Sequence, residues 1–151
     1  MNGIITIDPN HYANVTLLMG GTVNSIAIKP GQFVSKGQTI TTLSNPEFVD
    51  LQQTYLESSA QVEYLKADYI RQQELTSNGA ASQKILQQSQ AEYKAMQSRL
   101  DASATRLQQL GINPSSIVSD GICPYLKIAA PISGYVADIA VNMGKYLSAG
   151  E

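Results

Sequence analysis

The side chains best suited to metal or covalent chemistry are few and widely spaced in this sequence. His11 is the only histidine and Cys123 the only cysteine, and the thioether candidates are Met19, Met96 and Met143. Such ligands suit soft metal ions, but a site needs several of them close together. The predicted elements keep these residues apart, and Met96 falls where core packing is its ordinary role. We therefore expect no metal site and no other cofactor.

Neither the sequence motifs nor the net charge indicates an enzyme or a nucleic-acid-binding protein. One histidine near a predicted strand end cannot build a Ser/His/Asp or Cys/His arrangement, and no glycine-rich phosphate loop precedes a helix. Lys and Arg total 10 against 12 for Asp and Glu, which gives a net charge of -2. Nucleic-acid binding needs a basic surface, which this composition does not provide. We expect a non-enzymatic protein that does not bind nucleic acid.

Targeting and redox signals leave the compartment open. The first ten residues, MNGIITIDPN, lack the basic and apolar regions of a signal peptide, and no apolar run reaches transmembrane length. A single cysteine cannot form an intramolecular disulfide, and many periplasmic proteins also lack disulfides. On these observations alone, the cytosol and the periplasm are both compatible with the sequence.

An internal repeat is the most informative feature of the chain. Residues 21–38, GTVNSIAIKPGQFVSKGQ, align without gaps with residues 134–151, GYVADIAVNMGKYLSAGE. The matched pairs are Gly21 with Gly134, Val23 with Val136, Ile26 with Ile139, Ile28 with Val141, Gly31 with Gly144, Phe33 with Tyr146, Val34 with Leu147, Ser35 with Ser148 and Gly37 with Gly150. Each copy predicts a strand with alternating apolar residues, a glycine turn, and a short strand that runs into a second glycine turn.

This repeat predicts how the β-structure closes. Each copy is too small to bury a core alone, so the two copies should pack as pseudo-twofold mates in one flattened β-sandwich. Six glycines are expected to serve the turns: Gly21, Gly31, Gly37, Gly134, Gly144 and Gly150.

The residues between the two copies change character at Asn45-Pro46. Apolar residues then recur with a period of 3.5, which predicts two coiled-coil helices. The first seam comprises Phe48, Leu51, Tyr55, Ser58, Val62, Leu65 and Tyr69, and the second comprises Leu86, Ser89, Tyr93, Met96, Leu100, Ser103, Leu107 and Leu110. A short turn over residues 77–81, with Ser82 as the cap of the second helix, forces the helices to be antiparallel. Gly111 is expected to end the second helix, and Asn113-Pro114 to return the chain to loop and strand.

This arrangement resembles the periplasmic adaptor, or membrane fusion protein, family of tripartite efflux pumps. The resemblance rests on GQFVSKGQTITTL leading into NPEFVDLQQTYLES, and on the return LKIAAPISGYVADIAVNMGKYLSAGE. It implies an α+β fold in which a lipoyl-like (barrel-sandwich hybrid) domain, residues 1–45 and 112–151, is split by a helical hairpin, residues 46–111. GIITIDPN and the NPE junction most resemble the heavy-metal branch, which works with RND-type transporters.

The resemblance also implies partners and a location. Adaptors of this family link an inner-membrane transporter to a TolC-like outer-membrane channel, self-associate into a ring, and reside in the periplasm anchored to the inner membrane. Their hairpin tip carries an R-x-x-x-L-x-x-x-x-x-x-S pattern that docks to the channel, and Arg71, Leu75 and Ser82 match it here. Without that docking, Arg71 would be a solvated charge, Leu75 the last seam residue and Ser82 a simple N-cap.

Three other interpretations remain at this point. The chain could belong to an adaptor of an ABC-type or type I secretion exporter, or it could be a purely structural coiled coil, which leaves the repeat unexplained. It could also be a lipoyl or biotinyl carrier, although Lys29 and Lys36 flank a different turn from the one that carriers modify.

The second copy stops at Glu151, the counterpart of Gln38, so we expect a sandwich with an exposed strand edge where a counterpart of Thr39–Leu43 would lie.

Overall fold

The computed structural model describes residues 13–150, and their elements group into two compact units. One unit, residues 46–124, is helical, and the other combines β-segments from the two ends of the chain. His11 and the whole GIITIDPN string, residues 3–10, lie outside the described residues.

The helical unit contains two long helices and one short one. Helix α1 spans Pro46–Ser77, α2 spans Gln83–Gln109 and α3 spans Pro114–Asp120. At about 1.5 Å per residue, the 32 residues of α1 extend about 48 Å. Proline at the first position of α1 and of α3 suits the fixed φ and missing N–H of that residue.

The predicted heptad seam is the buried face of the two long helices. Every predicted seam residue is buried or half-buried, and Phe48 and Leu107 are fully enclosed. Tyr69 and Tyr93 stack with ring centroids 6.0 Å apart, so an aromatic pair joins the helices in their tip-side half. Two of the three seam serines bond within α2: Ser89 Oγ donates to Leu86 O at 2.8 Å, and Ser103 Oγ donates to Arg99 O at 2.9 Å. These small residues allow close packing while their hydroxyls keep a hydrogen-bond partner.

A buried glutamine attaches the segment after α3 to α1. Gln52 is fully buried, and its Nε2 donates to Cys123 O at 2.9 Å while its Oε1 accepts from Cys123 N at 2.8 Å. Nε2 also donates to Phe48 O at 3.0 Å. Two bonds to one residue's backbone fix the path of the chain where it leaves the helical unit.

Helix α3 differs from the loop that was predicted after Asn113-Pro114. Asn113 caps α3 through its Oδ1, which accepts from Ser115 N at 3.1 Å. Ile117 is buried, and α3 contacts both long helices. The Asn-Pro pair is thus an N-cap followed by a first-turn proline rather than the start of a loop.

The described part of the β-unit contains six strands in two sheets. They are β1 (Gly21–Ile26), β2 (Phe33–Val34), β3 (Thr39–Ser44), β4 (Tyr125–Ala129), β5 (Gly134–Tyr135) and β6 (Tyr146–Leu147). One sheet has the order β4-β3-β1-β6 and the other pairs β2 with β5, with all pairings antiparallel. Most of the buried residues come from alternating strand positions: Val23, Val34, Ile40, Leu43, Leu126 and Leu147, with Leu17 and Ala130 from adjoining segments.

The two sequence copies exchange strands reciprocally. The first strand of copy one, β1, pairs with the second strand of copy two, β6, through Gly21 opposite Leu147. Equivalently, β5 pairs with β2 through Gly134 opposite Val34, which is the same register under the repeat. Packing of the two copies as mates, expected from the repeat, is therefore observed strand by strand.

Backbone bonds outside the strands follow the same symmetry. Val23 N–H donates to Lys145 O and Val136 N–H donates to Gln32 O, both at 2.9 Å. Gly31 N–H donates to Val136 O and Gly144 N–H to Val23 O, both at 2.8 Å. Equal lengths at equivalent positions show that a local pseudo-twofold relates the two copies.

The second copy has less regular strand structure than the sequence predicts. β1 runs over six residues, whereas its counterpart β5 covers only Gly134–Tyr135 and the chain from residue 136 to residue 143 forms no strand. The physical reason is pairing: β1 lies between β3 and β6, while β5 pairs only with β2 among the described strands.

The glycine predictions hold for the turns but not for the strand starts. Gly31, Gly37, Gly144 and Gly150 have φ of +83°, +86°, +82° and +93°, which L-residues rarely adopt. Gly21 and Gly134 instead begin strands β1 and β5 and lack a positive φ, so their assignment to turns was wrong. At Gly21 glycine is required by close approach, because an added Cβ would lie 2.8 Å from Ser44 O.

Candidate functional site

The hairpin tip is formed by the end of α1, a five-residue connection and the start of α2. Gly79 takes φ +73° just after α1. Ala80 N–H donates to Leu75 O at 2.7 Å and Gly79 N–H to Thr76 O at 3.1 Å. This pair of bonds is a Schellman motif, which ends a helix and reverses the chain without leaving its last carbonyls unpaired. The tip is therefore a defined turn.

Arg71 presents a charged donor near the end of α1. Its side chain is 59% exposed, and its Nη2 donates to Asp68 Oδ1 at 2.9 Å within the same helix. A guanidinium carries five N–H donors in a planar fork. The ion pair with Asp68 lies at the surface and contributes little to stability. Because it uses Nη2 alone, the other N–H donors of Arg71 can bind a partner carboxylate or carbonyl.

Leu75 and Ser82 complete the predicted constellation on either side of the turn. Leu75 lies one helical turn after Arg71 and is 37% exposed, so part of its side chain is uncovered. Ser82 is the N-cap of α2, and its Oγ accepts from Ile85 N at 3.3 Å. The hydroxyl hydrogen of Ser82 remains available because the cap uses only the oxygen as acceptor.

Two exposed isoleucines near the tip were missed by the sequence interpretation. Ile70 is 45% exposed and Ile85 is 48% exposed. Both stand next to a seam residue, Tyr69 and Leu86 respectively, rather than in the seam. An apolar residue at an outer heptad position was the signal that could have revealed them. Together with Leu75 they give the tip apolar surface beside its charged donor.

The other residues weighed for chemistry lie on separate segments in the described part of the chain. Met96 is half-buried in the seam, and Met143 is 71% exposed in the β-unit. Cys123 is half-buried and held by Gln52. Across residues 13–150, no group of three or more His, Cys, Asp or Glu is placed to hold a metal ion. Over that same range, no helix has both the length and the apolar character that a bilayer crossing requires.

Comparison with known proteins gives relatives at low sequence identity. No family model matches the sequence. The chain is 27% identical over 161 residues to the multidrug resistance protein MdtA of Xenorhabdus bovienii, a match covering 99% of this chain and 35% of that protein. It is 24% identical over 145 residues to an uncharacterized protein of Haemophilus influenzae, covering 95% of this chain and 33% of that protein.

Solved structures share the fold. ZneB from Cupriavidus metallidurans matches with a TM-score of 0.68 and 23% identity, over 93% of this chain and 58% of that one. A MacA-MexA chimera containing the Pseudomonas aeruginosa MexA α-hairpin domain matches with a TM-score of 0.58 and 20% identity, over 89% of this chain and 40% of that one. The chain shares its fold with these two solved structures and resembles MdtA in sequence. It spans about a third of the length of the curated relatives it matches.

Proposed function

We propose that this chain is part of a periplasmic adaptor, or membrane fusion protein, that links an inner-membrane efflux transporter of the RND type to a TolC-like outer-membrane channel, with the hairpin tip docking to the channel. The observation that carries the proposal is the tip itself, a defined turn at which Arg71 and Leu75 are exposed and Ser82 opens the second helix. Similarity to a multidrug resistance protein supports an efflux role.

The β-unit is proposed to be the main part of a split lipoyl-like domain, residues 1–45 and 112–151, which is interrupted by the hairpin, residues 46–111. Reciprocal strand exchange between the two repeat copies supports this assignment, because a split domain needs each copy to complete the other. We further propose a periplasmic location with an inner-membrane anchor, and ring formation in the assembled pump. No catalytic step is assigned to the chain.

Docking at the tip would combine three kinds of contact. Arg71 would pair with a carboxylate or with helix-end carbonyls on the channel, where charge-assisted bonds are stronger than neutral ones. Leu75 would fill a groove between channel helices, as apolar knobs do when helices meet, and the exposed Ile70 and Ile85 would add apolar surface on the same two helices. The Ser82 hydroxyl would donate at the rim of the contact.

The experiment measures binding of the chain to the organism's own TolC-like channel. The chain is immobilised, the purified channel is the analyte, and biolayer interferometry gives the dissociation constant. Arg71→Asp and Leu75→Ser should each weaken binding at least tenfold, because each removes a central contact. The matched controls are Arg99→Asp, a charge reversal on the exposed part of α2, and Val118→Ser, which changes a side chain 62% exposed in α3.

Circular dichroism of every variant must first give the wild-type helical signal. Equal affinity of wild type, Arg71→Asp and Leu75→Ser would reject tip docking. Loss of binding in the two controls as well would mean that the contact is not specific to the tip.

A further inference from the structure

The turn at the hairpin tip contains an asparagine followed by a glycine, Asn78-Gly79, and both residues are exposed. Asparagine is a heat-sensitive residue because the backbone nitrogen of the next residue can attack its side-chain amide carbon and release ammonia. That reaction requires a carboxamide that is free to turn, an unobstructed nitrogen after it, and a backbone that opens. Each requirement can be examined at the tip.

The carboxamide of Asn78 is free to turn towards its own backbone. It offers two donors and one acceptor, yet it is not hydrogen-bonded to any group among residues 13–150. The carboxamides of Asn24, Asn45 and Asn113, by contrast, are each hydrogen-bonded to another residue. Those bonds hold the side chains away from the following backbone nitrogen.

Glycine leaves the attacking nitrogen unobstructed. A Cβ built on Gly79 meets nothing within 4 Å, so the space around this backbone is also open. The other asparagines among residues 13–150 precede valine, serine, proline or methionine. A side chain on the following residue shields its nitrogen, and proline has no N–H to lose. Within the described chain, Asn78 therefore has the most favourable surroundings for the reaction.

The Schellman motif restrains the same nitrogen while the turn is closed. Gly79 N–H donates to Thr76 O at 3.1 Å, and Ala80 N–H donates to Leu75 O at 2.7 Å. An N–H that donates to a carbonyl does not lose its proton readily, so the turn must open before the nitrogen can attack. Exposed turns open locally at a low free energy compared with the whole fold. The rate of the reaction therefore depends on how often the tip turn opens.

We propose that Asn78 is a site of spontaneous deamidation that alters the surface of the hairpin tip. In the open turn, Gly79 N–H loses its proton to hydroxide and the nitrogen attacks Cγ of Asn78. The N–Cγ bond forms, the Cγ–Nδ2 bond breaks, and ammonia leaves, which produces a succinimide ring. Water then adds to either ring carbonyl and opens the ring, giving aspartate or isoaspartate. In balance, the amide and one water become a carboxylate and an ammonium ion.

Both products change the tip. Each adds one negative charge, and isoaspartate also routes the main chain through Cγ, which inserts one carbon before the Gly79 nitrogen. The bonds from Gly79 to Thr76 and from Ala80 to Leu75 then no longer fit the same turn. Isoaspartate should therefore weaken docking to the channel. This consequence rests on the proposed function, whereas the modification itself does not.

The test incubates the complete chain at mildly alkaline pH in water enriched in oxygen-18 and maps its peptides by mass spectrometry. Residue 78 should gain three daltons, one from the change of amide to acid and two from the heavy oxygen. Asn78 should react at least tenfold faster than Asn24 or Asn142. Asn78→Gln should stay unmodified at this position, because its longer side chain would have to form a six-membered ring. A rate at Asn78 no higher than that at Asn142 would overturn the proposal.

A peptide separates the effect of the sequence from that of the turn. The synthetic peptide ELTSNGAASQ, residues 74–83, lacks the two helices and should react at least threefold faster than the folded chain. Unfolding the chain in urea should raise its rate to that of the peptide. A peptide that reacts while the folded chain does not would overturn the proposal. Equal rates in the peptide and the folded chain would overturn the requirement that the turn opens.

Binding to the purified TolC-like channel is measured by biolayer interferometry before and after the incubation. Incubated wild type should bind severalfold more weakly than fresh wild type, while incubated Asn78→Gln should keep the affinity of its fresh form. A modified chain that binds as tightly as the fresh chain would overturn the effect on docking, with the modification itself established. A fresh chain that does not bind the channel would reject the proposed function and leave the mass-spectrometric result intact.

Discussion

Replacing Gln52 with methionine removes a polar connection without opening a cavity. Methionine has nearly the same length as glutamine, so the apolar contacts of the fully buried side chain are retained. Two hydrogen bonds to the backbone of Cys123, at 2.9 and 2.8 Å, are lost together with the 3.0 Å bond to Phe48 O within α1. At about 1 kcal/mol net for each bond, and more if the groups stay away from water, the expected cost is about 2–3 kcal/mol.

The free energy of unfolding is measured by urea denaturation followed by circular dichroism at 222 nm. For a chain of this size, each kcal/mol of lost stability lowers the midpoint of thermal unfolding by about 2–4 °C. The expected loss of about 2–3 kcal/mol should therefore lower that midpoint by about 4–12 °C. The matched control is Gln53→Met, because Gln53 is exposed and bonds only Glu57 four residues on, at 2.9 Å, which contributes about 0.2–0.5 kcal/mol. If Gln52→Met and Gln53→Met agree within about 0.5 kcal/mol, the proposed role of Gln52 is refuted.

Two further predictions concern the turn and strand positions. Gly21→Ala should destabilise the chain by about 1–3 kcal/mol, because the added Cβ meets Ser44 O. The same change at the repeat counterpart, Gly134→Ala, should alter stability by less than about 0.5 kcal/mol. Equal urea midpoints for the two variants would contradict this. Ser82→Ala should cost about 1 kcal/mol by removing the cap of α2, and Ser82→Asp should restore most of it. Ser98→Ala, at an exposed interior position of α2, serves as its control and should be neutral or slightly stabilising.

Periodicity and repetition allowed much of this fold to be predicted. The 3.5-residue period named the seam residues, from Phe48 to Leu110, that the structure buries. This worked because a long helix pair has one contact face and many turns over which the pattern repeats. The reciprocal pairing of the two copies followed from the repeat for a similar reason: a half-sandwich that cannot bury a core alone has its own copy as the available partner.

Features that depend on single tertiary contacts could not be predicted in the same way. Helix α3 has only seven residues, too few for a period to appear, and its Asn113-Pro114 signal serves both turns and helix starts. Nothing in the sequence distinguishes Gln52 from the neighbouring surface glutamines, because its burial depends on Cys123, 71 positions away. The shortness of β5 likewise depends on its pairing, which among the described strands is with β2 alone, rather than on its own residues.

At the tip, sequence placed Arg71, Leu75 and Ser82 on the correct elements but overlooked Ile70 and Ile85. Seam assignment treats residues outside the contact face as solvated, although about half of each isoleucine is covered by its neighbours. Whether these residues contact a channel is a property of a partner surface, which a single chain does not encode.

Packing of the two distant repeat copies as one unit is tested most directly by long-range nuclear Overhauser effects. The account predicts backbone cross-peaks between Thr22 and Tyr146 and, at the equivalent register, between Phe33 and Tyr135. Cross-peaks confined to contacts within each copy, with none linking residues 21–34 to residues 134–147, would contradict it.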